Sequence, residues 1–276
     1  MQFSKMHGLG NDFIFLENLE NQEMNYPEMA AKWCHRQLGI GADGLVIVLH
    51  SEQADLRMRI INADGSEANM CGNAIRCFAR YAYERKLVQS AAFSIETFAG
   101  IMVPEVIIRN GKVEAVRVNM GKPDILRANI PMLGDETAAI NVMLPIENKE
   151  INITSLLMGV PHTMIFVEEA EAIDLKTIGP MIEKHSYFPK GTNVNFVEVV
   201  NSDRIKIRTW ERGAGATLAC GTGSCASVVA SILNEHTNRT VTVELQHGEL
   251  LIEWSEDGTV FMTGPAEEVF SGNFIH

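Results

Sequence analysis

Two stretches of this chain, "MCGNAIRC" from Met70 and "ACGTGSC" from Ala219, each set a cysteine before glycine, a small polar residue and a helix-like run. Sliding the sequence by 149 positions lays Cys71 on Cys220, Gly72 on Gly221, Asn73 on Thr222, Asn62 on Glu211, and Gly10-Asn11 on Gly159-Val160. Further on, "AGIMVPEVIIRNGKVEAVRVNMGKP" from Ala99 parallels "HGELLIEWSEDGTVFMTGP" from His247, with Asn110-Gly111 and Asp257-Gly258 turns in matching places. The common order and near-constant offset imply two copies of one αβ unit. A length of 276 residues accommodates two domains of ordinary size.

Each copy reads as strand-rich. "FIFLEN", "LVIVLH" and "LRMRIIN" are strand-like in the first half, and "HTMIFVEE", "VNFVEVV" and "RIKIRTW" in the second. The Asn-Gly and Asp-Gly dipeptides mark hairpins, hence a mixed or antiparallel sheet. Helices are expected at about 27–38, 72–86, 174–184 and 221–236, the last apolar on most of its circumference, as suits a central helix wrapped by sheet. The fold class expected is α+β, with two pseudo-symmetric lobes facing one another. Residues 1–118 would form the N-terminal lobe, 119–263 the C-terminal lobe, and a segment from about 264 to 276 would return to the first.

The formal charge of −12 argues against nucleic acid or an anionic membrane as partner. No stretch reaches the ~20 apolar residues of a membrane span, and "MQFSKMHGLGNDF" carries no apolar signal-peptide core, so a cytoplasmic protein is expected. The odd cysteine count (Cys34, Cys71, Cys77, Cys220, Cys225) suggests reduced thiols, and the Cys-x5-Cys and Cys-x4-Cys spacings are not those of a zinc knuckle. No metal is expected. Cys34, Cys77 and Cys225 read as structural thiols.

A helix N-terminus presents unpaired N–H groups and partial positive charge, which hold anions and stabilise a thiolate. Two such starts could grip one carboxylate and place a sulfur on each side of a bound carbon. A hydrolase needs one nucleophile, whereas inversion of a stereocentre needs a base on one face and an acid on the other. The two-thiol pattern therefore points to a racemase or epimerase acting on a small amino acid substrate without pyridoxal phosphate or another cofactor. The rival readings are a Cys-His hydrolase or transferase using His162 with one cysteine, and a non-catalytic binding module.

"KMHGLGNDF", "GIGADG", "NADGSEANMCGN", "GVPH", "TNVNF", "ERGAGATLACGTGSCA" and "GPAEEVFSG" together resemble the ordered signatures of the diaminopimelate epimerase family over nearly the whole chain. The resemblance implies two lobes, each a sheet rolled around a central helix, a cleft between them that closes on substrate, a homodimer, and conversion of LL- to meso-diaminopimelate. It implies Cys71 and Cys220 as the acid/base thiols, with Gly72, Asn73, Gly221 and Thr222 cradling the α-carboxylate. Asn11, Asn62, Asn193, Glu211 and Arg212 match substrate-binding positions, and His162 and Glu211 match residues that tune the thiols. Val160 departs from the pattern, since the family usually has asparagine there. This departure admits a racemase of another amino acid, such as histidine, as the alternative substrate reading.

Overall fold

Leu9 and Gly10 both take positive φ, 56° and 90°, which turns the chain sharply between two strands. In this computed structural model, which describes residues 1–135, 137–147 and 149–274, that turn pairs β1 (Gln2–Gly8) antiparallel with β2 (Asn11–Asn18). The chain divides into two compact units, one comprising Met1–Asn119 and the segment from Thr263, the other Met120–Met262.

In the first unit, Tyr26–Trp33 forms α1, capped by Asn25. The helix expected to run to about 38 stops at Trp33. The His35 ring accepts the amides of Gln37 and Leu38, and Ile40 and Gly41 turn their N–H groups back to the Trp33 carbonyl. Next, β3 (Gly44–Leu49), buried at every position, runs parallel to β2 and antiparallel to β4 (Leu56–Asn62). Both of its faces are covered, so it reads as a continuous apolar run rather than an alternating one. A short β5 (Glu67–Ala68) folds back on β4 just before α2 (Gly72–Glu84). Then follow β6 (Ile95–Thr97), β7 (Gly100–Met102) and the hairpin β8 (Glu105–Arg109)–β9 (Lys112–Asn119), turned by Asn110 and Gly111 at positive φ. The chain's last strand, Glu267–Asn273, pairs with β1, giving a sheet in the order last strand, β1, β2, β3, β4, β6, β7. Helix α2 packs against β1, β8 and β9, with Ile75, Cys77, Phe78 and Ala82 fully buried.

The second unit repeats the theme. Its strands are β10 (Val142–Ile146), β11 (Lys149–Met158), β12 (Val160–Val167), β13 (Asn193–Asn201), β14 (Arg204–Glu211), β15 (Gly215–Thr217), β16 (Thr240–Leu245), β17 (Gly248–Trp254) and β18 (Val260–Gly264). Between β12 and β13 lies α3 (Leu175–Glu183), capped by Asp174. The sheet is mixed: β12 runs parallel to β13 and β14 to β16, while the hairpins are antiparallel. Between β15 and β16, α4 (Gly221–Leu233) packs against β11, β12, β13, β14, β16 and β17. Ser224, Ser227 and Ser231, all fully buried, let the sheet approach it closely. Two of these hydroxyls bond carbonyls one turn back, Ser224 to Cys220 and Ser231 to Ser227. The fold is α+β, each unit carrying a long cysteine-led helix against a mixed sheet. Among the described residues no helix is long and apolar enough to cross a membrane. The last strand is β19 (Glu267–Asn273).

Candidate active site

The candidate residues other than Asn62 gather around one cysteine in each unit. In the first, Cys71 is the N-cap of α2, in extended conformation at φ −142° and ψ 124°. The first helical bond runs from Ile75 N–H to the Cys71 carbonyl, so the amides of Gly72, Asn73 and Ala74 precede the helical ladder. The Cys71 thiol lies 3.7 Å from Oδ1 of Asn11, which also accepts from Nδ2 of Asn73 at 3.1 Å.

The orientation of the Asn11 amide is fixed from behind. Its Nδ2 donates to the Asp43 carboxylate at 2.7 Å. Arg36 bridges Asp43 and Asp12, at 2.7 and 2.9 Å, and Lys5 pairs with Asp12 at 2.7 Å. Although burial works against it, hydrogen bonding from Arg36 and Lys5 holds the Asp12 carboxyl down at about 2. Fully buried Arg76 donates to the Gly72 carbonyl and to Oδ1 of Asn73, each at 2.9 Å, and so braces the start of α2. The motifs "GND" and "GADG" thus act as one unit. Asn62 stands apart, its Nδ2 bonding Ser66 at 2.9 Å and its backbone closing the turn through Gly65.

In the second unit Cys220 is the N-cap of α4, and its sulfur accepts from the Gly223 amide at 3.4 Å. The Thr222 hydroxyl lies 3.5 Å from that sulfur and 3.1 Å from Nε2 of His162. Burial pushes the Cys220 thiol well up, and the charge of Glu211 adds to this, while the Thr222 hydroxyl and the Gly223 amide pull the other way. Burial, helped by the positive charge of Arg212, depresses fully buried His162 to about 3, so the ring is neutral. Thr217 donates to Glu211 at 2.5 Å and fixes that carboxylate.

Asn193 sits opposite His162 in the parallel β12–β13 pair. It donates to the Pro161 carbonyl and accepts the Arg212 amide, both at 2.9 Å. The Arg212 guanidinium is exposed and donates to the Lys190 carbonyl at 2.7 Å. The turn that carries Arg212 is held by Glu183, whose carboxylate accepts the Trp210 indole at 2.7 Å and the Gly213 amide at 3.2 Å. Val160 begins β12, 37% exposed.

Arg76, Asp43, Asn195 and Thr209 were not among the residues singled out from sequence. A signal existed for Asn195, a polar residue inside the otherwise apolar "VNFV" run of β13. Burial likewise drives Cys34 and Cys77 up, to about 11 and about 12. Among the described residues no three His, Cys, Asp or Glu side chains gather as a metal site.

Known proteins align with this arrangement along the entire chain. The family model for diaminopimelate epimerase matches residues 3–126 and 154–269. A diaminopimelate epimerase of Pelotomaculum thermopropionicum is 50% identical, with 99% of each chain covered. One from Desulfitobacterium hafniense is 51% identical over 99% of this chain and 97% of its own. In fold the chain is similar to a phenazine biosynthesis protein of the PhzF family from Bacillus anthracis, with a TM-score of 0.72 at 15% identity, covering 100% of this chain and 99% of that one. It is also similar to a probable proline racemase from Agrobacterium radiobacter, with a TM-score of 0.69 at 15% identity, covering 99% and 92%. With half its residues shared across full-length relatives, the chain belongs to the diaminopimelate epimerase family of isomerases.

Proposed function

We propose that this protein converts LL-diaminopimelate to the meso form by inverting one Cα, with Cys71 and Cys220 as the acid/base pair and without a cofactor. The observation that supports this most is the twin placement of the cysteines: each is the N-cap residue of its unit's principal helix, Cys220 with the Gly223 amide on its sulfur and Cys71 with its sulfur toward Asn11. One thiolate removes the Cα hydrogen as a proton while the other thiol delivers a proton to the opposite face, so no electrons are gained or lost overall. Raised by burial, Cys220 is suited to begin as the thiol. When it gives up its proton, the Gly223 amide and the Thr222 hydroxyl are already aimed at the developing sulfur anion. The amides of Gly72 and Asn73, with those of Gly221 and Thr222, hold the α-carboxylate and draw carbanion charge toward it.

Asn62, Asn193, Glu211 and Arg212 contact the distal, non-reacting amino acid centre. Val160 lacks a donor there, but at 37% exposure water can take up an unmatched polar group, so the lost hydrogen bond costs little. The relatives described above carry the name diaminopimelate epimerase; none is named a histidine racemase or a thiol hydrolase, and both alternatives lack support. The thiols would be kept reduced in the cytoplasm, and the working form would be a homodimer, checked by sedimentation.

Incubation of the reduced protein in heavy water with LL-diaminopimelate tests the function directly. The expected result is deuterium entry at Cα together with formation of the meso isomer, and neither with L-histidine. Exchange with histidine alone, or with neither compound, would overturn the reading.

A further inference from the structure

Fully buried Asn195 lies behind His162. Its Oδ1 accepts the Thr209 hydroxyl at 3.0 Å, which leaves its NH2 directed at Nδ1 of His162, 3.2 Å away. A ring nitrogen that faces a donor must present its lone pair, so the single proton of neutral His162 sits on Nε2. Nε2–H then donates to the Thr222 oxygen at 3.1 Å, which frees the hydroxyl hydrogen of Thr222 to point at Cys220, 3.5 Å off. We propose that Asn195 is a positioning residue for the acid/base reaction: through the His162 tautomer it commits the Thr222 hydroxyl to donate to the Cys220 sulfur. All three links point the same way, Asn195 to His162 to Thr222 to Cys220, so the sulfur anion formed in turnover meets a donor that cannot turn away.

The space for this relay is specific. A Cβ on Gly223 would stand 2.6 Å from Oδ1 of Asn195 and 3.2 Å from the Cys220 sulfur, so the second glycine of "CGTG" makes room for the amide. The inference rests on the proposed role of Cys220 but predicts properties that do not require turnover.

The test uses the full-length reduced protein and the variants Asn195→Asp, Thr222→Val and Thr222→Ser. In protein labelled with nitrogen-15 histidine, NMR should show His162 with its proton on Nε2, and Asn195→Asp, which replaces the donor by an acceptor, should move it to Nδ1. Alkylation of Cys220 by iodoacetamide, read peptide by peptide, should slow about tenfold in Asn195→Asp and in Thr222→Val, the scale of one hydrogen bond. The turnover number for LL-diaminopimelate should fall by a similar factor, with KM little changed. Combining the two changes should give no more loss than Thr222→Val alone, because Asn195 acts through Thr222, and Thr222→Ser, which keeps a hydroxyl, should lose clearly less than Thr222→Val. Wild-type His162 protonated on Nδ1, or losses that multiply in the double variant, would overturn the proposal. If Asn195→Asp does not fold, the wild-type tautomer and the Val/Ser pair at Thr222 decide alone. Relay readouts as expected without epimerisation would sink the functional reading and leave this one standing; epimerisation with an unmoved tautomer would do the reverse.

Discussion

Asn11 gives its side-chain NH2 to Asp43 at 2.7 Å, and this bond, with the one its Oδ1 accepts from Asn73 at 3.1 Å, sets which end of its amide faces Cys71. Asp43 is itself held by Arg36 at 2.7 Å. Replacing Asp43 with alanine should therefore lower kcat/KM about tenfold, the worth of one charge-assisted hydrogen bond. The fold should survive, because the lost ion pair is largely exposed and such pairs contribute ~1 kcal/mol or less. Steady-state kinetics within twofold of wild type would show that the amide orientation does not matter.

Each cysteine should be indispensable. Cys71→Ala and Cys220→Ala are expected to lower epimerisation by ~10²-fold or more, the range of general acid–base catalysis. Both losses should be of the same order, measured as conversion of LL to meso isomer by chiral chromatography. Full activity after either change would support the single-thiol alternative.

His162 links stability to pH. Its pKa in the folded protein, about 3, lies below the ordinary 6.5, so on acidification the unfolded chain takes up a proton there that the folded chain refuses. Stability from this ring is present above pH 6.5 and is lost as pH falls toward 3, by ~1.4 kcal/mol for each pH unit. The Asp12 contribution is lost only lower, between 3.8 and about 2. Urea unfolding of wild type and His162→Gln at about pH 5 and 7 separates the two groups. Wild type should lose more stability than the variant on acidification, and equal losses would contradict a buried neutral ring.

Gly223→Ala reverses a familiar rule. Alanine within an exposed helix is worth ~1 kcal/mol over glycine. Here the added carbon would sit 2.6 Å from the Asn195 oxygen, and overpacking of that kind costs ~1–3 kcal/mol. The melting temperature should fall rather than rise, and turnover should drop with it. A stabilised, fully active variant would show that the site has slack.

Val160→Asn should restore the usual family residue at a 37% exposed strand start. The expected effect is a lower KM for LL-diaminopimelate, by less than about tenfold, with kcat unchanged. A large change in kcat would place Val160 nearer the chemistry than its exposure implies.

Much of this protein is local in origin. The six apolar runs became strands because their patterns fit one-sided or two-sided burial, and both "CG" sequences became helix starts, with the Cys220 sulfur accepting a first-turn amide and Cys71 in extended conformation at the N-cap. Their spacing along the chain announced a duplicated unit and suggested the two-thiol reaction proposed above. What local pattern could not carry was the partner of each polar side chain. Asn62 and Glu211 occupy matching places in the repeat, yet Asn62 binds Ser66 in its own turn while Glu211 bears on Cys220. Asp43 reaches Asn11 because β2 and β3 run parallel, and Asn193 meets His162 because β12 and β13 do. The residues alone thus specified the elements and the two cysteine-led helix starts. Strand register decided which amide, hydroxyl or carboxylate stands behind each one, because those partners come from positions 32 and 33 residues away whose meeting depends on the whole sheet.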